Sequence, residues 1–192
     1  MKINVGFAIT GSFCTHKTIL DVISSFDKDR YNIIPIVTKE VAKTDTRFGK
    51  ASEFLSKLEE YTGNKVLTSI VEVEPLGPKN LIDCLVVAPC TGNTIAKLAN
   101  AITDDAVTMT AKSLSRNSKP IIVGISTNDG LGLNLKNIAG LMQVRNYYFV
   151  PFGQDDYINK PKSLICDWDK LDDTITSAIS GIQLQPLLIG GK

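Results

Sequence analysis

The chain has 192 residues, of which 43% are hydrophobic and 21% are charged. At about 150 residues per domain, this length predicts one domain over residues 1–182, followed by a loose tail at 183–192. The 21 Lys and Arg residues nearly balance the 20 Asp and Glu residues, and the net charge of +1 excludes a generic nucleic-acid-binding or polybasic membrane surface.

The cysteine and histidine content narrows the expected compartment and chemistry. Cys14, Cys84, Cys90 and Cys166 form no CxxC pair, so we expect reduced thiols and a cytoplasmic protein. The sequence contains neither an apolar run of about 18 residues nor a secretory signal pattern, so it predicts neither a membrane span nor export. Because His16 is the single histidine, we expect no zinc site of the HExxH type.

Short aliphatic runs alternate with stretches of helical period along the chain. The predicted strands are Ile3–Ile9, Asn32–Thr38, Leu81–Ala88, Lys119–Ser126 and Tyr147–Phe152. Several are apolar on successive residues, which is typical of parallel strands covered on both faces. Amphipathic helices are predicted at Ile19–Phe26, Ala51–Tyr61, Ile95–Ile102, Leu135–Met142 and Trp168–Ile182. A further helix is predicted to begin at a cap in Thr103–Asp105 and to continue through Leu114.

This alternation predicts an α/β fold of the three-layer, doubly wound, Rossmann-like type. We expect a mostly parallel sheet of about six strands in the order 3-2-1-4-5-6, in which Leu81–Ala88 counts as the fourth strand. The first and fourth strands are then neighbours at the point where the winding direction reverses. Ligands of open parallel sheets bind beyond the carboxyl ends of the strands at such a point.

Two loops rich in glycine and hydroxyl residues follow these two strands. Thr10–Thr15 follows the first strand, Pro89–Thr94 follows the fourth, and each opens a predicted helix. The free N–H groups and the positive dipole end of a helix start favour a phosphate, and neither loop carries an Asp or Glu. Together the loops predict a nucleotide-like ligand, although either loop alone is equally typical of an ordinary βα turn.

Neither common nucleotide fingerprint is complete. A Rossmann dinucleotide loop needs GxGxxG, and only Gly11 is present after the first strand. The run Gly11–Thr18 matches the P-loop pattern GxxxxGK[ST] except that His16 stands where the second glycine lets the backbone wrap a phosphate. The sequence therefore disfavours NAD binding and ATP hydrolysis.

The run Pro89–Ala99, PCTGNTIAKLA, resembles the P-x-S-x-N-T-x-A-K-x-A signature of the flavoprotein family that includes the flavin-dependent cysteine decarboxylases. Gly11–Phe13 resembles the loop with which that family holds the FMN phosphate, and the resemblance extends over residues 1–170. It implies FMN as the cofactor, with Gly11 and Ser12 at the phosphate. The cofactor-binding residues that it implies are Gly11, Ser12, Phe13, Thr38, Pro89, Cys90, Thr91, Asn93, Thr94, Ser126 and Thr127.

The chain departs from the family's decarboxylases at two places. Those enzymes use a histidine before the fourth strand, whereas Ile70–Gly77 contains none. Their P-x-M-N-x-x-M-W substrate clamp is also missing, and Asn128–Gly132 stands near its place. A different substrate is implied, and no catalytic residue is identified. Asp129 is a candidate acid or base, but an Asp before Gly is also typical of a turn. Candidates for pairing with substrate carboxylates are Lys112, Arg116, Lys136 and Arg145.

The later segments Ser126–Asn134 and Tyr148–Asp156 carry a closer resemblance to one branch of the family. It implies an oxidoreductase subunit that works with a nicotinamide-using partner on a small dicarboxylate, and a homo-oligomer that is a trimer or built from trimers. Two alternatives remain open. One is an FMN-dependent decarboxylase or flavin prenyltransferase of the same fold, and the other is a non-catalytic flavin-binding partner.

Overall fold

The central sheet is built from short aliphatic strands that pair as the sequence predicts. The computed structural model describes residues 2–190. Its strands are β1 (Ile3–Ile9), β2 (Tyr31–Val37), β3 (Cys84–Cys90), β4 (Ile121–Thr127), β5 (Tyr147–Phe149), β6 (Phe152–Gln154) and β7 (Leu164–Cys166). The parallel part runs β2-β1-β3-β4, and β5 adds in parallel beside β4. The α/β class and the predicted neighbours at the centre of the sheet are confirmed.

Helices connect these strands on both faces of the sheet. They are α1 (His16–Ser25), α2 (Lys39–Lys43), α3 (Ala51–Thr62), α4 (Ile70–Val73), α5 (Gly92–Ala99), α6 (Ala106–Arg116), α7 (Leu135–Met142) and α8 (Leu171–Ile179). The chain leaves β1 toward β2 but leaves β3 in the opposite direction, toward β4. Right-handed crossovers therefore place α1 and α6 on opposite faces, with the reversal point between β1 and β3.

The place predicted for a third strand, outside β2, is held by one residue rather than by a strand. Leu67 pairs with β2 in parallel through two backbone hydrogen bonds of 2.9 Å. A capping box between Ser69 and Glu72 then begins α4 at Ile70. The extended backbone ends there because the next N–H groups, at Ser69 and Glu72, bond to the capping-box side chains instead of to β2.

Two short antiparallel strands, β6 and β7, extend the carboxyl end of β4. The predicted strand Tyr147–Phe152 is interrupted at Pro151, which has no N–H to donate, so β5 ends at Phe149 and β6 begins at Phe152. β7 pairs with Ser126 and Thr127 at the end of β4. The loop between β6 and β7 is thereby placed beside the reversal point of the sheet.

The C-terminal segment is fixed to the sheet over its described residues, in contrast to the loose tail expected from 183 onward. The Gln183 side-chain amide donates to the Phe149 carbonyl and accepts from its N–H, both at 2.7 Å. Phe152 donates to the Leu187 carbonyl and accepts from the Ile189 N–H, both at 3.0 Å. Residues 191 and 192 lie outside the described part of the chain.

Strands β3 and β4 form the centre of the hydrophobic core. All seven residues of β3 are buried, as are the first six of β4, which fits parallel strands covered by helices on both faces. The cap predicted for α6 is present, because the Asp105 side chain accepts from the Thr108 N–H at 2.8 Å. Within residues 2–190, none of the helices has the length and apolar character needed to cross a bilayer.

Candidate functional site

Thr10, the buried residue after β1, joins the two glycine- and hydroxyl-rich loops. Its hydroxyl donates to the Pro89 carbonyl at 2.7 Å and accepts from the Thr91 N–H at 3.1 Å. One side chain therefore bonds the end of β1 to the end of β3. This arrangement fixes the separation of the loops and confirms that they face one another at the reversal point.

A third loop, after β4, joins the same site. The hydroxyl oxygens of Ser12 and Ser126 lie 3.0 Å apart, so the first loop is hydrogen-bonded to the end of β4. Ser126 and Thr127 also pair with β7, whose preceding loop reaches the cleft. Three strand ends that are distant in sequence thus surround one space.

The space between these loops is a cleft of about 490 Å³. This volume lies within the range of about 300–1,000 Å³ that is usual for small-molecule and cofactor sites. Its lining residues come from the ends of β1, β3 and β4, from the loop after α2, and from the β6–β7 region. They are Gly11–Thr15, Arg47, Phe48, Thr91, Ser126–Asp129, Asp155, Lys160 and Ser163–Ile165.

Six of the eleven residues implied by the resemblance line this cleft. They are Gly11, Ser12, Phe13, Thr91, Ser126 and Thr127. The space around Gly11 is open, because among residues 2–190 an added Cβ would meet only the Phe13 ring, at 3.6 Å. A phosphate can therefore approach the main chain at Gly11.

The other five implied residues lie behind or beside the cleft lining. Thr38 caps α2 by accepting from the Val41 N–H at 3.4 Å, and Thr94 is buried with its hydroxyl 3.2 Å from that of Thr91. Asn93 is exposed on the first turn of α5. None of these residues is among those that line the cleft over residues 2–190.

Pro89 and Cys90 are buried at the end of β3. The Pro89 carbonyl accepts the Thr10 hydroxyl. Burial without a nearby cation raises the pKa of the Cys90 thiol well above its ordinary value. Cys90 is therefore a packing residue in this structure, in the protonated form that makes a poor nucleophile.

Asp129 brings to the site a carboxylate that the first two loops lack. Its oxygens accept from the Thr127 hydroxyl and from the Asn134 side-chain amide, both at 2.6 Å. A Cβ added at Gly92 would lie 2.5 Å from Asp129 and from Asn134, so only glycine lets this loop close over the start of α5. The carboxylate lies beside Gly92 at the start of α5, whereas the Gly11–Thr15 loop carries no carboxylate and is the part of the cleft suited to a phosphate.

His16 is buried beneath the first loop. Its Nε2 lies 3.1 Å from the Thr10 carbonyl, which can only accept, so Nε2 carries the proton. The ring stacks on Phe54 at 4.4 Å between centroids. Burial lowers the pKa of His16, and the hydrogen bond to Thr10 opposes this only in part. The neutral ring therefore supports the loop and is not exposed to the cleft as a cation.

Cationic and aromatic side chains at the rim of the cleft were not predicted from the sequence. Arg47 lies over the Phe48 ring at 4.8 Å, and Lys160 pairs with Asp155 at 3.3 Å. The loops that carry Arg47 and Lys160 are distant in sequence from the strand ends and reach the cleft through the tertiary fold. The one sequence feature that pointed to either loop was the match of Tyr148–Asp156 to a branch of the family. The four cations considered from sequence, Lys112, Arg116, Lys136 and Arg145, are not among the residues that line the cleft.

Comparison with known proteins identifies the family. The model of the flavoprotein family matches residues 1–180. The dipicolinate synthase B subunit of Bacillus subtilis (strain 168) is 47% identical over 185 residues, which are 96% of this chain and 92% of the relative. The crystal structure of the dipicolinate synthase B subunit from Bacillus halodurans C superimposes with a TM-score of 0.90 at 46% identity, covering all of both chains.

More distant structures share the fold. DmrB from Burkholderia xenovorans, solved in complex with FMN and described as a cubic protein cage for redox transfer, has a TM-score of 0.70 at 17% identity. The match covers 93% of this chain and 96% of that one. The chain belongs to the flavoprotein family and groups within it with the B subunits of dipicolinate synthase.

Proposed function

We propose that the chain is the FMN-binding B subunit of a dipicolinate synthase. In this proposal it acts with a nicotinamide-dependent A subunit during sporulation to form dipicolinate, pyridine-2,6-dicarboxylate, from a tetrahydrodipicolinate precursor. A flavin-associated role within an enzyme complex follows from the family and from the 47% identical relative. The precursor, the partner and the oxidoreductase step are our proposal.

The observation that carries the proposal is the joining of three strand ends around one cleft. Thr10 bonds the first loop to the second, and Ser12 lies within hydrogen-bonding distance of Ser126 in the third. The first loop, residues 11–15, carries no carboxylate, and two of its backbone N–H groups, those of Ser12 and Thr15, donate to the Thr10 and Ser12 carbonyls and hold the loop closed. Such a site suits a ligand with one terminal phosphate and an extended polar ring system, which are the features of FMN.

The residues present fit FMN. Gly11 and Ser12 would hold the phosphate, since the backbone at Gly11 faces open space. Phe13 would lie near the ring or ribityl chain, and Thr91, Ser126 and Thr127 would line the ring side. The family resemblance also implies Thr38, Pro89, Cys90, Asn93 and Thr94 as cofactor-binding residues, and of these Pro89 and Thr94 lie within hydrogen-bonding distance of Thr10 and Thr91, respectively.

Bound FMN would supply the capacity to accept a hydride from a ring carbon of the substrate. The chain's own part would be to orient the substrate and to take up a proton. Asp129 is the carboxylate that we assign to this second task, because it lines the cleft and is held by Thr127 and Asn134. Asp155 also lines the cleft, but Lys160 neutralises it.

We further propose a homo-oligomer, a trimer or a multiple of trimers. Support comes from the family resemblance and from the cage assembly named for the FMN-binding structural neighbour. Sedimentation of the purified chain at several concentrations tests this state directly. A monomer at all concentrations would contradict it.

The proposed function is tested in two stages. First, the purified chain is titrated with FMN and its visible flavin spectrum is recorded, with Ser12→Ala as the site variant and Ser24→Ala, an exposed position on α1, as its matched control. Second, product formation from fresh precursor is followed with the nicotinamide-dependent partner alone and with both proteins. We expect FMN binding that Ser12→Ala weakens, and product formation that requires the FMN-loaded chain.

The second stage separates the alternatives. If product forms equally well without this chain, the catalytic role is wrong. If the FMN-free chain supports full activity, the chain is a non-catalytic partner and the flavin step is wrong.

A further inference from the structure

We propose that a second pocket, beside the flavin cleft, binds the carboxylates of the dicarboxylate substrate. This inference rests on the proposed function and adds the location of the substrate. The pocket has a volume of about 240 Å³ and lies between α1, the loop after α2 and the start of α3. It is smaller than the pockets of about 300–1,000 Å³ that accept drug-sized ligands, so its size suits a single small ring.

Two aromatic side chains connect this pocket to the flavin cleft. Phe13 and Phe48 line both spaces. The ring of His16, which stacks on Phe54, also lines the pocket, so its walls offer flat apolar surfaces to a planar ligand. A ring held here would lie next to the space that we assign to the flavin.

The backbone fixes the position of Phe48 although more than half of the residue is exposed to solvent. It is 54% exposed, which is unusual for a side chain of this size. A tight turn fixes its backbone: Thr46 and Gly49 exchange two backbone hydrogen bonds of 3.0 and 3.1 Å, and Gly49 has a φ of 141° that favours glycine. The turn therefore presents a rigid aromatic wall between the two spaces.

The charges around the pocket favour an anion. Lys17, Lys50 and Lys57 line it, and Glu53 is the one carboxylate among the lining residues that the structure describes. Over residues 2–190, none of these lysines lies within 4.0 Å of a carboxylate oxygen. The nearby Asp45 carboxylate accepts from the Ala51 N–H at 2.9 Å and so helps to begin α3.

Three ammonium groups against one carboxylate, around flat walls, match an aromatic or pre-aromatic ring that carries two carboxylates. The aromatic surfaces hold the ring by apolar contact, and the lysines can form charge-assisted hydrogen bonds to its carboxylates. A flavin phosphate is the competing anion. It would require the flavin to turn away from Gly11, whose open backbone already offers the phosphate a position.

The test measures dicarboxylate and flavin affinities separately. Pyridine-2,6-dicarboxylate is titrated by calorimetry in buffer free of divalent cations, into FMN-loaded and FMN-free protein. The site variant is the triple change Lys17→Gln, Lys50→Gln and Lys57→Gln. The matched control removes the same charge at Lys2, Lys28 and Lys79, which are exposed and line neither space.

We expect the site variant to lose dicarboxylate affinity by about tenfold or more, while the control variant and the FMN affinity change little. Pyridine, which lacks the carboxylates, should not compete. Equal dicarboxylate affinity in the wild type and the site variant would overturn the proposal. So would a loss of FMN affinity without a loss of riboflavin affinity, because the lysines would then bind the flavin phosphate.

The outcome stays separate from that of the proposed function. Failure of the wild type to bind FMN contradicts the flavin assignment, and the FMN-free titrations still decide whether the lysines bind the dicarboxylate. Thermal unfolding of both triple variants checks that the exposed substitutions leave the fold intact.

Discussion

The hydroxyl groups of Ser12 and Ser126 lie 3.0 Å apart although 114 residues separate them in sequence. With the Thr10 hydroxyl, which bonds to both Pro89 and Thr91, this contact joins the first loop to the two other loops around the cleft. The site is therefore assembled by side chains of the strand ends, and changes at these residues should affect cofactor binding and stability to different extents.

Gly11→Ala should weaken FMN binding about tenfold and leave stability nearly unchanged. The new methyl group would meet only Phe13, at 3.6 Å, so the fold accommodates it, but it occupies the space through which a phosphate reaches the backbone. Gly140→Ala, on α7 with no atom within 4 Å of the added Cβ, is the control. Equal FMN affinity in both variants, measured by calorimetry, would contradict the phosphate position.

Gly92→Ala should lower the free energy of unfolding by about 1–3 kcal/mol, because the added Cβ overpacks against Asp129 and Asn134. Urea unfolding measures the change. Adding Asp129→Ala removes one of the clashing side chains, so the double variant should lose less stability than the sum of the two single variants. Strict additivity would show that the loop after β4 does not close on α5.

Thr10→Val should cost about 1–3 kcal/mol, since it keeps the side-chain shape but removes the hydroxyl that serves the Pro89 carbonyl and the Thr91 N–H. Thr110→Val is the matched control, because the hydroxyl of the buried Thr110 donates to the Ala106 carbonyl of its own helix and, within the part of the chain that the structure describes, to no other group. The Thr10 variant should lose more stability and also FMN affinity. The opposite ranking in chemical denaturation would remove Thr10 as the link between the loops.

The free energy of unfolding should decrease as the pH is lowered through the titration range of His16. Its pKa is lowered in the folded state from the ordinary value of 6.5, so the folded protein binds this proton less readily than the unfolded chain. The contribution is present above pH 6.5 and is lost below it, by up to about 1.4 kcal/mol per pH unit until the folded-state pKa is reached. His16→Gln should remove this component when unfolding free energies at pH 7.5 and 5.5 are compared. An unchanged pH dependence would contradict the neutral, buried ring.

The sequence was sufficient for the parts of the fold that depend on local pattern. The buried run of β4, the Asp105 cap and the bounds of α7 at Leu135–Met142 follow from apolar periodicity and capping chemistry. β6 and β7 have three residues each, too few to show a period, and exist because they pair with the end of β4. The expected third strand does not form because a capping box starts α4 just after Leu67.

The site was predictable only where strand ends determine it. The loops of Ser12 and Thr91 could be placed together because the ends of neighbouring parallel strands meet at one edge of the sheet, whereas Ser126 was implied only by the family resemblance. The sequence does not give the direction of each side chain within a loop, and the resemblance implies Cys90 and Thr94, which are both buried, together with residues that line the cleft. Arg47 and Phe48 approach from a loop whose position depends on the packing of α3 against β2 and α1.

The crystal structure of this chain with FMN is the most direct test of the flavin site. We expect the phosphate within hydrogen-bonding distance of the Gly11 backbone N–H and the Ser12 side chain, and the ring between Thr91 and Ser126. Flavin density elsewhere, or none at saturating FMN, would contradict this placement.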